Sequence, residues 1–372
     1  MMKNSSFHKF IAAGGGNETG ASCYMIYTGG VKIMLDAGIR NARDFMAGLP
    51  NLIPVFRKFG WDGLWELDAA VISHAHVDHT GALPFFIKDL EGVKIFSSEA
   101  TPEMIYAQHG NKKSNALAST YDKLIPVPFM KKIAVKNSDI TLFPAGHIPG
   151  AAMTLIENDE AKILYTGDFC DFDQFTVKGA KIPDMKINAL ICESTYAYSN
   201  SIGQLNLNDL ANQINKLLIN TNIFMCTVRN SGKAAEIVAA VKKCVEFDLI
   251  PALKIWLDTD AEISCKACEK WGAAKIFDDS VEKLSDCDFN SEGLIISSQP
   301  LGFDELFFNM SNHADCSGIL KLIATTRPDK IIFVHGTPSF AGARNVLREI
   351  PERFGTAVDV VHSINGIEFN LI

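Results

Sequence analysis

The stretch Ser73-His74-Ala75-His76-Val77-Asp78-His79 sets three imidazoles and a carboxylate within six residues, from His74 to His79. Neutral histidine and aspartate are good zinc ligands, and this density suits two cations side by side better than one. The chain holds nine histidines in 372 residues, so an H-x-H-x-D-H run is not what scatter produces. Ala69–Ser73 (AAVIS), just before it, is a short apolar run that reads as a buried strand. Thr80–Leu90 (TGALPFFIKDL), just after it, predicts a helix with proline in its first turns. The histidine run therefore leaves a strand end, where loops on a rigid scaffold carry chemistry.

Further strands are expected at Val31–Asp36, Ile140–Phe143, Lys162–Thr166 and Ala189–Glu193, each ending at or near a polar or acidic loop. Four more metal-type residues stand near strand ends among small neighbours. They are His147 in Pro144–Gly150 (PAGHIPG), Asp168 in Tyr165–Phe169 (YTGDF), His313 in Ser311–Asp315 (SNHAD) and His335 in Phe333–Gly336 (FVHG). Glycine or alanine beside each lets backbone approach a crowded site. After about Ser201 the pattern changes. Helical spacing over Leu207–Asn220 and Lys233–Glu246 alternates with apolar runs at Ile223–Thr227 and Ala252–Asp258, which predicts a small α/β unit with parallel pairing. The expected division is 1–200, an inserted cap at 201–300, and a return to the first unit over 301–372.

Composition narrows the class. A hydrophobic fraction of 47% and a charged fraction of 21% are those of a soluble globular protein. Met1–Phe10 carries no apolar run, and no later stretch is long and apolar enough for a bilayer. Nine scattered cysteines fit a reduced cytoplasm, and Cys265–Cys268 (CKAC) reads as two helix thiols rather than half of a zinc knuckle. A net charge of −8 argues against a general polyanion-binding surface but leaves room for a local basic groove.

The H-x-H-x-D-H loop followed by A-G-H and T-G-D resembles the metallo-β-lactamase fold. The longer string Ile72–Pro84 (ISHAHVDHTGALP) resembles its β-CASP branch, which includes the mRNA 3′-end-processing endonuclease and related bacterial and archaeal RNases. Leu190–Tyr196 (LICESTY), Ser311–Asp315 and Val334–Gly336 resemble the three extra motifs of that branch, at Glu193, His313 and His335. Gly14–Gly20 (GGGNETG) and Leu35–Gly38 (LDAG) resemble the family's opening. The resemblance implies an α/β fold: a four-layer αββα sandwich with a small inserted β-CASP-like cap. It implies one metal on His74, His76 and His147, another on Asp78, His79 and His335, and Asp168 bridging both. Two zinc ions suit five imidazoles and two carboxylates, and manganese is compatible. Such metals lie about 3.5–4 Å apart and activate a hydroxide for in-line displacement. Asp78 would orient that nucleophile, and Asp36 would hold a ligand from behind. His313 would be the general acid, with Glu193 on its ring setting tautomer and pKa.

Two departures from the branch bear on substrate. Ser297–Gly302 (SSQPLG) replaces a longer excursion before the second motif, so the cap is short. The phosphate-gripping arginine segment has a loose counterpart in Thr227–Glu236 (TVRNSGKAAE), where Arg229 and Lys233 are candidate substrate contacts. Residues 201–300 hold ten Lys and Arg against fourteen Asp and Glu, whereas nucleic-acid grooves are usually positive. The expected activity is zinc-dependent cleavage of phosphodiester bonds in RNA, with DNA as second choice. A small-molecule hydrolase of the same fold, acting on a thioester, lactone or cyclic nucleotide, remains the alternative, followed by a non-catalytic scaffold. The expected partner is RNA or another single-stranded nucleic acid, not a membrane; homo-oligomerisation is left open.

Overall fold

The computed structural model describes residues 7–40, 45–109, 120–197, 205–228, 231–307, 310–336, 344–355 and 358–372. Its strands form three sheets. The first has seven strands in the order β19 (Glu368–Asn370), β1 (His8–Gly14), β2 (Cys23–Thr28), β3 (Val31–Leu35), β4 (Ala69–Ile72), β5 (Lys94–Ser98) and β6 (Leu124–Val127). The second has the order β18 (Asp359–His362), β17 (Lys330–Val334), β11 (Ala189–Glu193), β10 (Lys162–Tyr165), β9 (Ala152–Glu157), β8 (Ser138–Pro144) and β7 (Lys132–Val135).

Side-chain alternation explains how these two sheets meet. Phe10, Ala12, Tyr24, Ile26, Ile33, Ala69 and Val71 from the first pack with Ile140, Leu142, Ile156, Ile163, Ile191 and Ile332 from the second in one buried layer. Their strand neighbours Ile11, Met25, Met34, Ile72, Leu164, Leu190 and Phe333 point the opposite way, into a core shared with helices. Strands covered on both faces read as continuous apolar runs, which is why the inner ones were legible as short strands. The result is the sheet sandwich with outer helices that the motifs implied.

Register is fixed locally. β2 and β3 pair antiparallel with Thr28 opposite Val31. The two residues between them, Gly29 and Gly30, have φ of 54° and 83°, the left-handed pair that a two-residue hairpin turn requires. From β3 to β6 the pairing becomes parallel, as it is along β10, β11 and β17. The carboxyl ends of these strands therefore gather at one edge.

The third sheet runs β14 (Val281–Lys283), β13 (Lys254–Leu257), β15 (Gly293–Ser297), β12 (Ile223–Thr227) and β16 (Asp304–Glu305), with every pairing parallel. Helices Leu207–Leu218, Lys233–Glu246 and Thr259–Trp271 supply the crossovers. β16 carries this sheet past residue 300. Cys265 and Cys268 are buried on helix Thr259–Trp271, and none of the nine cysteines is in a disulfide. No described helix is long and apolar enough to cross a membrane.

One element differs from expectation. Thr80–Leu90 does not form one helix; short helices occupy Val77–Thr80 and Leu83–Phe86. Between them the Ala82 N–H donates to the Ala37 carbonyl at 2.7 Å instead of to its own helix, which breaks the ladder. That bond ties the histidine loop to the end of β3.

Candidate active site

β3, β4, β8, β10, β11 and β17 deliver, at one edge, Asp36, the 73–79 loop, His147, Asp168, Glu193 and His335 respectively. The loops fit because backbone meets backbone. Gly38 packs so tightly that an added Cβ would lie 1.6 Å from the Asp78 carbonyl oxygen. Ser22 N–H donates to the same oxygen and Ala37 N–H to that of His79, each at 2.9 Å.

The side chains converge in two nests sharing one carboxylate. His74 Nε2 and His147 Nε2 each stand 3.1 Å from His76 Nδ1. Both also face Asp168 Oδ2, at 3.6 and 3.7 Å. On the other side Asp168 Oδ1 faces His79 Nε2 at 3.3 Å and His335 Nδ1 at 3.4 Å, while His335 Nε2 lies 3.2 Å from Asp78 Oδ2. Donor atoms of His74, His76, His147 and Asp168 lie within 4.8 Å of one another, as do those of Asp78, His79 and His335.

The donor set fits divalent cations. Asp168 Oδ1 is buried with no hydrogen-bond partner, an orphan that a cation would satisfy. Four of the five imidazoles, those of His79, His147, His76 and His74, have their outward nitrogen beside an oxygen, and His335 has the Thr195 hydroxyl beside the nitrogen that faces Asp168. His79 Nδ1 donates to Asp36 Oδ2 at 2.8 Å, His147 Nδ1 to the Asn312 carbonyl at 2.7 Å, and His76 Nε2 to the Ser231 carbonyl at 3.2 Å. His74 Nδ1 meets Ser73 Oγ at 3.1 Å; Thr195 Oγ1 stands 3.1 Å from His335 Nδ1. Outer bonds of this kind aim the inner lone pair at a metal.

Electrostatics agree. Burial, then the neighbouring rings, push His74 and His147 well below the ordinary imidazole value, and burial lowers His76. All three are thereby held in the neutral form, the one in which an imidazole can bind a metal. Burial also opposes charge on His79, but Asp168 and Asp36 outweigh it and hold that ring well above its usual value. Asp168 is held well below the carboxylate range, against its burial, by His335, His79 and His313.

Asp36 anchors the assembly from beneath. Its carboxylate accepts from Ser73 N at 2.6 Å, Ser73 Oγ at 2.8 Å and Tyr165 Oη at 2.6 Å besides His79. Asp36 and His335 both have positive φ, 60° and 51°. Side chains tolerate that region at a cost of about 1 kcal/mol or more, and such strain collects at functional sites. Here the His335 N–H is held by the Gly15 carbonyl at 2.7 Å.

His313 stands at the rim. Its Nδ1 lies 3.0 and 2.9 Å from the two Glu193 oxygens, and Glu193 Oε1 also accepts from Phe169 N at 2.8 Å. Burial works against a charged His313, yet Glu193 and then Asp168 raise it to about 9. A cavity of about 290 Å³ opens over both nests and the His313 ring, with Thr19, Lys233 and Glu236 in its wall. Lys233 is thus brought to the site; Arg229 lies outside the described residues.

Family comparisons complete the description. A family model described as the metallo-beta-lactamase superfamily matches residues 16–169, and one described as the Zn-dependent metallo-hydrolase RNA specificity domain matches 307–359. The chain belongs to the metallo-β-lactamase superfamily. Within it, its relatives are those of the β-CASP 3′-end-processing branch. It is 37% identical over 213 residues to endoribonuclease ysh-1 of Neurospora crassa, covering 52% of this chain and 24% of that protein. It is 31% identical over 270 residues to endoribonuclease YSH1 of Candida glabrata, covering 67% of this chain and 33% of the relative. Cleavage and polyadenylation specificity factor subunit 3 of Dictyostelium discoideum is 34% identical over 199 residues, 49% of this chain and 25% of that one. The chain thus spans a quarter to a third of the length of these curated relatives. A crystal structure of a protein of unknown function from Enterococcus faecalis V583 shares the fold at a TM-score of 0.61 and 15% identity, covering 98% of this chain and 100% of its own.

Sequence reasoning missed the supporting residues. Tyr165 hid inside an apolar strand. Asn312 and Ser231 act through main-chain carbonyls, so their side chains gave no signal. Ser73 and Thr195 flank motif residues, and only that adjacency could have flagged them.

Proposed function

We propose that this chain is a metal-dependent phosphodiesterase that cleaves single-stranded RNA, with DNA as the weaker substrate. The carrying observation is the pairing of the shared Asp168 carboxylate with a Glu193-held His313 beside it. Five imidazoles and two carboxylates support two zinc ions, with manganese accepted. When bound, the cations supply positive charge to the phosphoryl oxygens and a source of hydroxide at neutral pH.

The chain's own groups do the rest. Asp78 presents a carboxylate beside His335 and orients the attacking water. His313 donates a proton from Nε2 to the departing alkoxide, a poor leaving group that needs one. Glu193 accepts from Nδ1 and so keeps the proton on the substrate side. Lys233 offers a charge to a phosphate at the cavity wall, and Arg229 is proposed as its neighbour from sequence alone. The cap division at 201–300 and a cytoplasmic location belong to the same proposal; nine thiols without a disulfide support a reducing compartment.

Protein loaded with two equivalents of zinc or manganese should cut end-labelled single-stranded RNA and leave a 5′-phosphate. His313→Ala should retain about two metals per chain by elemental analysis and lose roughly 10²-fold or more in turnover, the worth of a general acid. A metal-replete wild type that leaves both RNA and DNA intact would refute the reading. Metal loss in His313→Ala would instead make His313 a ligand. A second reading, hydrolysis of a thioester, lactone or cyclic nucleotide, is favoured by the acidic balance of residues 201–300. Comparing turnover of those esters with that of oligonucleotides separates the two.

A further inference from the structure

A second cavity of about 290 Å³ lies between helix Thr101–His109 and the carboxyl edge of the third sheet. Its polar wall is Gln108, His109, Ser231, Asp260, Ser264, Ser298 and Gln299. Val228, Ala234 and Ala261 give it apolar surface. No lysine or arginine lines it among the described residues. The position has a physical logic: open parallel sheets bind ligands outside the carboxyl ends of their strands.

Ser231 joins this cavity to the first, because it lines both. Its carbonyl accepts from His76 Nε2 at 3.2 Å, and its amide donates to Gln108 Oε1 at 2.7 Å. Its own hydroxyl is buried, with the residue 4% exposed, and has no partner within the protein. A buried hydroxyl without a partner calls for a ligand or a water.

We propose that this cavity is a nucleoside subsite, taking the base and ribose next to the phosphodiester under attack and binding them through Ser231, Gln108, Ser298 and Gln299. The inference rests on the phosphodiesterase reading. Amides and hydroxyls supply donors and acceptors for base edges and the ribose hydroxyls, while the alanine and valine surface accepts a base face. Because the Ser231 carbonyl touches His76, an occupant bonded to the Ser231 hydroxyl sits one residue's width from the metal nests.

Two variants test this. Ser231→Ala removes a hydroxyl that bonds nothing in the protein, so folding should be untouched. Gln299→Ala trims an exposed side chain. With zinc-loaded protein, each should raise KM for a short RNA about five- to tenfold, the scale of one neutral hydrogen bond, with kcat little changed. Hydrolysis of bis(p-nitrophenyl) phosphate, which carries no nucleoside, should stay within about twofold in Gln299→Ala, whose side chain has no part in the metal nests. Saturation-transfer NMR with adenosine, guanosine, cytidine and uridine should show binding to the wild type that weakens in both variants. Unchanged KM together with unchanged nucleoside binding overturns the subsite, as does equal loss on both phosphodiesters. Nucleoside binding that depends on Ser231, in a protein that cuts no RNA, keeps the subsite and removes the nuclease reading.

Discussion

Asp36 shows how much a single carboxylate can hold at a metal centre. It accepts four hydrogen bonds, from Ser73 N, Ser73 Oγ, Tyr165 Oη and His79 Nδ1. Asn in its place offers one acceptor oxygen and an amide that faces donors. Asp36→Asn is therefore expected to turn His79 away from Asp168 and weaken metal binding about 10–100-fold, as loss of such outer partners does. Competition against a chromogenic chelator measures it, and unchanged affinity would show that Asp36 serves only the strand end. The ligand-type residues were legible because their chemistry is written in their own side chains and crowded into short motifs. Asp36 was legible only through the family likeness, since an aspartate ending a strand is ordinary. Tyr165, Asn312 and Ser231 were not, because what they contribute is position.

At the scale of elements, the loop after β3 and the loop after β4 are packed main chain to main chain. Gly38→Ala would drive a methyl onto the Asp78 carbonyl, 1.6 Å from the Cβ position. No side-chain rotation relieves a clash with backbone, so the 36–38 and 78–79 segments must part. A loss of about 2–4 kcal/mol in urea unfolding is expected, in the range of severe steric substitutions, together with lower metal occupancy. Full stability in Gly38→Ala would mean that the two loops separate freely. A neighbouring contact explains the broken helix at Thr80–Leu90: a single helix was expected there, but Ala82 N–H is claimed by the Ala37 carbonyl. Local pattern cannot foresee such a long-range claim. The strands fared better, because burial on both faces gives them an apolar run that needs no partner to be recognised.

Across the whole molecule, two histidines outside the metal nests set a pH dependence of folding. Burial pushes both His109 and His362 below the ordinary imidazole value. Their folded pKa is therefore lower than the unfolded one, about 6.5. Below that pH the unfolded chain binds more protons, so their contribution is complete above about 6.5 and is lost as pH falls beneath it. The urea midpoint of metal-free protein should drop between pH 8 and pH 5.5, and by less in the double variant His109→Gln with His362→Gln. Equal drops would show that neither ring carries the effect. The tie between the sandwich and the third sheet is also a whole-molecule property. Glu236, on helix Lys233–Glu246, accepts from Phe175 N and Thr176 N in the segment that follows Asp168.

His76 takes its orientation from a peptide oxygen borne by the unit that carries the third sheet. Chimaeras that transplant this unit between relatives are thus constrained in an unexpected place. The graft must reproduce the path of the main chain at position 231, whatever residue stands there, or the recipient inherits a histidine aimed at nothing. Removing the unit to open the cleft would loosen the His76 nest rather than simply enlarge the space above it.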